Sequence, residues 1–192
     1  VPIYGIKVFL GSSTGSLLVK NSESIKDGLK SGLINLYHCE DEEVLLDFAK
    51  IPYNDIKDHS TKRPPIAEVS SFKKIIDSAK DLKDKAKIYI CHISSEELLK
   101  ATEESKNLGF KIVAEVTPHH LFFSLEELLD LEWIDKKNKN NFNIFKVNPP
   151  IREKSSVGSL RKGFNEGVFD IMGTDHAPHL LKEKLSDNPP SG

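Results

Sequence analysis

The stretch YGIKVFLG, residues 4–11, has the composition of a β-strand that is buried on both faces. Strands of this kind occur in parallel sheets that are covered on both sides. Lys7 interrupts the apolar run, and an ammonium group is costly to bury. The stretch therefore predicts a parallel α/β fold and raises the question of what Lys7 does in it.

Short apolar runs alternate with longer amphipathic runs along the chain, which is the pattern of βα units around a parallel sheet. Pro65 suits the first turn of a helix, Ser95 a helix start and Gly109 a helix end. The polar stretches 53–65 and 135–143 are predicted to be loops. Strands are predicted at 4–10, 33–37, 87–92, 111–117 and 169–173, and helices at 24–30, 40–49, 66–82, 95–108, 125–129 and 159–164.

The composition is that of an ordinary globular domain, because 38% of the 192 residues are hydrophobic and 29% are charged. A formal net charge of −2 with interspersed lysines offers no basic surface, so nucleic acid is excluded as a partner. No apolar run approaches the ~20 residues of a membrane span, and no export signal is present; we predict a cytoplasmic protein with no membrane partner. The chain begins without methionine and no linker divides residues 1–192, so we expect one domain of a longer protein.

Each predicted strand carries, or ends in, a side chain that can bind a metal or carry a proton. In a parallel α/β barrel the carboxyl ends of all strands open on one face, where active sites form. A single strand-end histidine more often makes a hydrogen bond, but two histidines and an aspartate at separate strand ends favour a shared site. Imidazole and carboxylate suit Zn²⁺, so hydrolysis by metal-activated water is the predicted reaction. The residues are Lys7, His38, His92, the pair His119 and His120, and Asp175 with His176.

Two interpretations of Lys7 remain open on the residues alone. In the first, it is an edge-strand lysine whose amine reaches solvent. In the second, its amine, with an ordinary pKa of about 10.4, loses its proton in a desolvated site and captures CO₂. The resulting carbamate is a two-oxygen anion that can bridge two metals.

Other polar residues near these strands have simpler interpretations. Cys39 and Cys91 are predicted to be reduced, small buried hydrophobes, because alternation along a strand points them away from the neighbouring histidines. His59 is interpreted as a loop residue. Glu40 and Asp41 belong to an acidic run at a helix start, where the macrodipole favours negative charge, and need no catalytic role.

Neither His119 nor His120 is predicted to be a metal ligand. One of them is expected to orient the metal site and the other to pack at the mouth of the barrel. The run GSSTG at 11–15 could serve as a phosphate loop but lacks the Gly-Lys-Ser/Thr ending, so a turn is predicted there.

Six segments, in this order along essentially the whole chain, resemble the dihydroorotases of the amidohydrolase superfamily: GIKVFLGSSTG, HCEDE, CHISS, EVTPHHL, VNPPIR and GTDHAPH. The resemblance implies a distorted (β/α)₈ barrel of the TIM type, of which this chain holds about strands four to eight. It also implies the reversible cyclisation of N-carbamoyl-L-aspartate to L-dihydroorotate in pyrimidine synthesis, with these small molecules as partners. Members of the family often form homodimers.

The resemblance implies a role for each of the strand-borne residues. Lys7 is expected to be the carboxylated lysine that bridges two Zn²⁺ ions, with His38 and His92 as ligands of one of them. Asp175 is expected to bind the other ion and to act as general base.

Four further residues match positions that contact the substrate in this family. Asn148 and His179 are expected to do so through their side chains, and Ser191 and Gly192 through backbone groups against the pyrimidine ring. The match is incomplete, because the His-x-His pair of the family's first strand and the arginine that usually follows it are absent from this sequence. The 192-residue chain by itself is therefore predicted to have no catalytic activity.

Two alternatives stay open. A hydantoinase, dihydropyrimidinase or allantoinase would share the metal positions, although it resembles this combination of segments less well. A catalytically inactive barrel that serves as a structural subunit would also account for a chain without the His-x-His pair.

Overall fold

The computed structural model describes residues 2–12, 17–19, 21–83 and 85–192. Most of the predicted turn at 11–15 lies outside the described residues. The strands are β1 (Gly5–Phe9), β2 (Ile34–His38), β3 (Lys87–Ile90), β4 (Ile112–Val116) and β5 (Ile171–Met172). The α-helices are α1 (Ser22–Lys30), α2 (Glu42–Phe48), α3 (Ile56–Lys62), α4 (Pro65–Ala79), α5 (Glu96–Asn107), α6 (Pro118–Phe122), α7 (Leu125–Asp130), α8 (Lys154–Asn165) and α9 (Leu181–Lys184), and two 3₁₀ helices cover Lys80–Leu82 and Lys139–Phe145.

The five strands form one sheet in the order β1-β2-β3-β4-β5, and every neighbouring pair is parallel. Each strand therefore lies beside the one that precedes it in sequence, as in an α/β barrel. Lys7 of β1 is in register with Leu36, which in turn pairs with Tyr89. The predicted parallel α/β sheet of five strands is confirmed.

One face of the sheet packs against the helices and forms the main core. Alternate residues of the strands point to this face, because side chains along a strand alternate between its two sides. On the helix side, buried residues of α1, α4, α5, α6 and α8 contribute to this core. The buried residues include Val8, Tyr37, Cys39, Ile88, Ile90, Ala114 and Val116 from the strands and their ends, and Phe72, Ile75, Leu98 and Leu160 from the helices.

The other face of the sheet is only partly covered, which corrects the prediction that β1 is buried on both faces. Lys7 is exposed, and Phe9 is half-buried. Ile171 and Met172 of β5 are exposed as well. Lys7 and Phe9 face a cavity on this side, so the described residues form an open part of a barrel whose interior they do not fill.

Local signals set the helix boundaries where the sequence contains them. The Ser95 hydroxyl accepts a hydrogen bond from the Leu98 amide at the start of α5, and Gly109 follows the helix with a φ of +88°. Pro65 is the first residue of α4. All three predicted boundary residues are confirmed.

The two stretches predicted to be loops contain helical structure, so these predictions are wrong. Asp55 starts α3 by accepting from the amides of Lys57 and Asp58. Phe142, in the 3₁₀ helix, is buried in a second cluster with Ile56, Leu125 and Ile134. These short helices depend on the burial of single apolar residues. Their sequences therefore show no apolar repeat with the period of a helix.

None of the helices in the described part of the chain has both the length and the apolar character needed to cross a lipid bilayer.

Candidate active site

Most of the predicted site residues surround one cavity at the carboxyl edge of the sheet. His38 is the last residue of β2, His92 follows β3 by two residues, and Asp175 follows β5 by three. The cavity has a volume of about 190 Å³. Seven of the eight residues predicted to bind metal or substrate line it: Lys7, His38, His92, Asn148, Asp175, Ser191 and Gly192.

The eighth predicted residue, His179, lies in a neighbouring cavity of about 350 Å³ that also contains Asp175 and Gly192. Its ring packs against Gly192, where an added Cβ atom would lie 3.0 Å from Nε2 of His179 and 2.5 Å from the Ala177 carbonyl oxygen. The structure therefore places His179 at the border of the main cavity, and its role remains a prediction.

His92 and Asp175 have strained backbones. Their φ angles are +37° and +46°, and no other non-glycine residue in the described ranges has a positive φ. Such a conformation costs on the order of 1–3 kcal/mol and persists only where the surroundings enforce it. Strain of this kind is concentrated at functional sites.

Cys91 is free and buried, as predicted, but the backbone turn at His92 corrects the prediction that it points away from His92. In a regular strand Cys91 and His92 would point to opposite sides, but here both side chains reach the inner side of the sheet. The ammonium of Lys7 donates a hydrogen bond to Sγ of Cys91 over 3.0 Å. Cys91 is therefore a neighbour of the predicted bridging residue, whereas Cys39 is part of the core, as predicted.

The two predicted histidine ligands face each other. Nδ1 of His38 lies 3.0 Å from Nε2 of His92, and Nε2 of His38 lies 2.8 Å from Oε2 of Glu40. A carboxylate can only accept, so Nε2 of His38 carries its proton and Nδ1 presents a lone pair. Nε2 of His92 then donates to His38, and Nδ1 of His92 is buried without a hydrogen-bond partner among the described residues.

The environment keeps His92 neutral. Burial lowers its pKa well below the usual value, and the nearby His38 and Lys7 lower it further. A neutral imidazole is the form that binds a metal.

This pair of histidines suits two ligand positions of a zinc ion. With Zn–N distances of about 2.05 Å, two ligands of a tetrahedral ion lie about 3.3 Å apart, close to the separation of the two ring nitrogens. In the described ranges, however, no three His, Cys, Asp or Glu side chains come together as a complete metal site. The residues present thus fit part of a site, and the unmodified amine of Lys7 is not a further ligand.

Glu40 is a functional neighbour that the sequence interpretation missed. Its carboxylate is 0% exposed and accepts hydrogen bonds from Nε and Nη2 of Arg63 as well as from His38. Burial alone would raise its pKa, but Arg63 and His38 outweigh this effect and hold the pKa far below the usual value. The available signal was the spacing His-x-Glu, because residues two apart at a strand end share a side.

His119 and His120 both lie beside the cavity, next to Thr117. Nε2 of His120 donates to the carbonyl of Pro149 over 3.0 Å, and its Nδ1 accepts from the Thr117 hydroxyl over 2.7 Å. Nε2 of His119 lies 3.0 Å from the same hydroxyl, and His119 lines the main cavity. Which of them affects metal binding remains a prediction.

His59 is buried in α3, so its interpretation as a loop residue is wrong. Its Nε2 donates to the carbonyl of Val147 over 2.9 Å, and burial lowers its pKa to about 3. His59 and His120 therefore hold the backbone on both sides of Asn148. Oδ1 of Asn148 is buried without a hydrogen-bond partner among the described residues, which leaves it available to a ligand in the cavity.

A second buried ion pair lies behind the site. Glu68 is 1% exposed, and its carboxylate accepts from Nη2 of Arg152 over 3.1 Å and from the hydroxyl of Ser94 over 3.0 Å. Arg152 also donates to the carbonyl of Arg63. The pair connects α4, the end of β3 and the segment after Asn148, and it has the same chemistry as Glu40 with Arg63 but without a histidine.

Comparison with curated proteins shows that the chain is similar in sequence to dihydroorotases. The chain is 32% identical to the dihydroorotase of Methanosarcina acetivorans over 193 aligned positions. The alignment covers 94% of this chain and 38% of that protein. It is 35% identical over 178 positions to the dihydroorotase of Pyrococcus abyssi, covering 93% of this chain and 36% of the relative. The chain therefore spans less than two fifths of the length of these relatives. No protein-family model matches it.

Comparison with solved structures confirms the type of fold. The crystal structure of dihydropyrimidinase from Brevibacillus agri superposes with a TM-score of 0.81 at 21% identity, over 99% of this chain and 42% of that chain. At this level of identity the likeness concerns the fold alone. Together with the parallel sheet, it establishes the chain as part of a TIM-type barrel.

Proposed function

Since the chain belongs to the dihydroorotase family of amidohydrolases, we propose that the full-length protein hydrolyses the cyclic amide of L-dihydroorotate to N-carbamoyl-L-aspartate and catalyses the reverse reaction. The observation that carries the proposal is the gathering of Lys7, His38, His92 and Asp175 around one cavity. Hydrolases of cyclic amides need a metal or an equivalent electrophile, a water and a group that moves protons.

His38 and His92 would hold a zinc ion through the two nitrogens that converge at 3.0 Å, with the proton of His92 on Nδ1 in place of Nε2. Lys7, as its carbamate, would connect this ion to a second one. The bound metals would supply Lewis-acid polarisation of the carbonyl and an activated water. Their presence, and the carbamate on Lys7, are parts of the proposal.

Asp175 is the proton carrier in this proposal. It would take a proton from the attacking water and deliver that proton to the ring nitrogen as the amide C–N bond breaks. Its strained backbone fixes the carboxylate at the cavity, where the proton must be received and released within one small site.

The groups proposed to contact the substrate are those of Asn148, Ser191, Gly192 and His179. The unpartnered Oδ1 of Asn148 would accept from a ring N–H group. The backbone of Ser191 and Gly192 would face the flat ring, and His179 would border it from the neighbouring cavity. A small molecule is accordingly the partner we propose, with the cytoplasm as location and a homodimer as assembly.

The substrate panel that tests the proposal is L-dihydroorotate, hydantoin, dihydrouracil and allantoin, each assayed with the zinc-loaded full-length protein. We expect kcat/KM for L-dihydroorotate to exceed the others by at least about 10²-fold, because a site that hydrogen-bonds specific polar groups rejects analogues lacking them. A preference for hydantoin, dihydrouracil or allantoin would assign the protein to a different cyclic amidase. Stoichiometric zinc with no turnover of any of the four would leave the structural subunit as the function.

A further inference from the structure

The Glu40 carboxylate is more deeply buried and has more hydrogen-bond partners than an acidic residue needs at the start of a helix. It lies two residues after His38 and is fully buried. Arg63, the C-cap residue that follows α3, brings its guanidinium to this carboxylate with Nε at 2.9 Å from Oε1 and Nη2 at 2.5 Å from Oε2. Two distant segments thus meet at a single side chain.

One oxygen of this carboxylate is shared between Arg63 and His38. Oε2 accepts from Nη2 of Arg63 and, at 2.8 Å, from Nε2 of His38. Arg63 also donates to the carbonyl of Ser12, in the segment that follows β1. The guanidinium therefore fixes the carboxylate relative to the strand that carries Lys7, and the carboxylate in turn fixes the ring of His38.

We propose that Glu40 and Arg63 are a positioning pair that holds His38 in one orientation and one tautomer, with the proton on Nε2 and the lone pair of Nδ1 directed into the cavity. Glu40 acts through His38 and touches neither substrate nor metal. Buried partners that orient a histidine ligand in this way raise metal affinity or activity by about 10–100-fold. The role in metal binding rests on the proposed function, whereas the tautomer of His38 does not.

The chain contains a matched control in Glu68. Like Glu40, it is a fully buried glutamate paired with an arginine, Arg152. In the described part of the chain its carboxylate accepts hydrogen bonds from Arg152, Ser94 and Ser95, none of which is a predicted ligand, and it interacts with Glu40 only through the repulsion of their charges. Loss of either glutamate removes a buried negative charge beside an arginine, so only effects specific to His38 distinguish the two.

The first test uses the wild-type full-length protein without metal and needs no variant. With ¹⁵N-labelled histidine, the imidazole nitrogen shifts report which nitrogen carries the proton, and a His38→Asn variant assigns the signals of His38. We expect His38 to be entirely the Nε2–H tautomer. A proton on Nδ1, or a mixture of tautomers, would overturn the proposal whatever the protein catalyses.

The second test compares zinc affinity, measured by competition with a chromogenic chelator, in the wild type, Glu40→Gln, Glu40→Asp and Glu68→Gln. We expect Glu40→Gln to bind zinc about 10–100-fold more weakly and to show both tautomers of His38. Glu40→Asp should recover part of the affinity, because a carboxylate can still accept from Nε2. Glu68→Gln should lose thermal stability but keep the zinc affinity and the tautomer of the wild type.

Equal zinc affinities in Glu40→Gln and Glu68→Gln would show that Glu40 is only structural. Turnover is a separate measurement, so the two proposals can fail independently. If the wild type binds zinc, shows the Nε2–H tautomer and hydrolyses no dihydroorotate, the positioning pair stands and the proposed substrate is wrong.

Discussion

Replacing Lys7 by alanine in the full-length protein is expected to reduce dihydroorotate turnover by about 10³-fold or more and to lower the bound zinc from two ions per chain to one or none. Without the amine no carbamate can form, so the bridging anion is lost. Lewis-acid stabilisation is worth several kcal/mol, and about 4 kcal/mol corresponds to ~10³-fold in rate. Turnover and zinc content, measured on the same sample, check the prediction.

A chemical rescue and a control variant also test the proposed role of Lys7. Short carboxylic acids, added to Lys7→Ala, should restore part of the turnover by supplying a bridging carboxylate. Lys87, an exposed lysine at the amino end of β3, is the matched control, since Lys87→Ala removes a strand lysine far along the sheet from His38 and His92. If Lys7→Ala kept full zinc content and turnover, Lys7 would be a packed lysine with its amine in solvent.

Asp175→Asn is expected to lower kcat by about 10²–10⁴-fold, the usual contribution of a general acid–base group. Asparagine retains the size and can still bind through its oxygen, but it cannot take a proton. The loss should therefore persist when excess zinc restores full metal content. Full recovery with zinc would mean that Asp175 is a metal ligand only.

Asp170 is the control for this variant. Its carboxylate pairs with Lys106 and accepts from the amide of Ala114, away from the cavity. Asp170→Asn should change stability slightly and leave kcat at the wild-type value. A loss of kcat in both variants would indicate general damage around β5 in place of a specific role for Asp175.

The order of the strands and the location of the site could be predicted because they depend on local features. Strands that end in His38 and His92, joined by helices, bring these residues to one edge of a parallel sheet whatever the details of packing. The same reasoning placed Asp175 at the cavity, and it needed only the order of the strands and the residues that follow each of them. Asn148 was predicted from the resemblance to dihydroorotases instead.

The features that were missed depend on contacts between distant segments. The spacing His-x-Glu places Glu40 on the side of His38, but its second partner, Arg63, lies 23 residues later and no local pattern indicates that contact. Cys91 shares the face of Tyr89, which is in register with Lys7 through Leu36, and it is His92 whose positive φ breaks the alternation and brings it to the same side. His59 and Phe142 are buried by tertiary contacts in stretches whose composition is typical of loops.

The fold does not decide among the cyclic amidases, since one barrel supports several reactions. This chain superposes on a dihydropyrimidinase and is similar in sequence to dihydroorotases. In this chain two groups would have to distinguish dihydroorotate from other cyclic amides. They are the unpartnered Oδ1 of Asn148 and the backbone of Ser191 and Gly192.

The most direct measurement of the central claim is the rate of L-dihydroorotate hydrolysis by the full-length protein before metal removal, after exhaustive chelation, and after zinc is returned in the presence of bicarbonate. The proposed site predicts that chelation lowers the rate by at least about 10²-fold and that zinc restores it with two ions bound per chain. A chelated protein that hydrolyses dihydroorotate at the original rate, or a zinc-loaded protein that does not hydrolyse it, would contradict the claim.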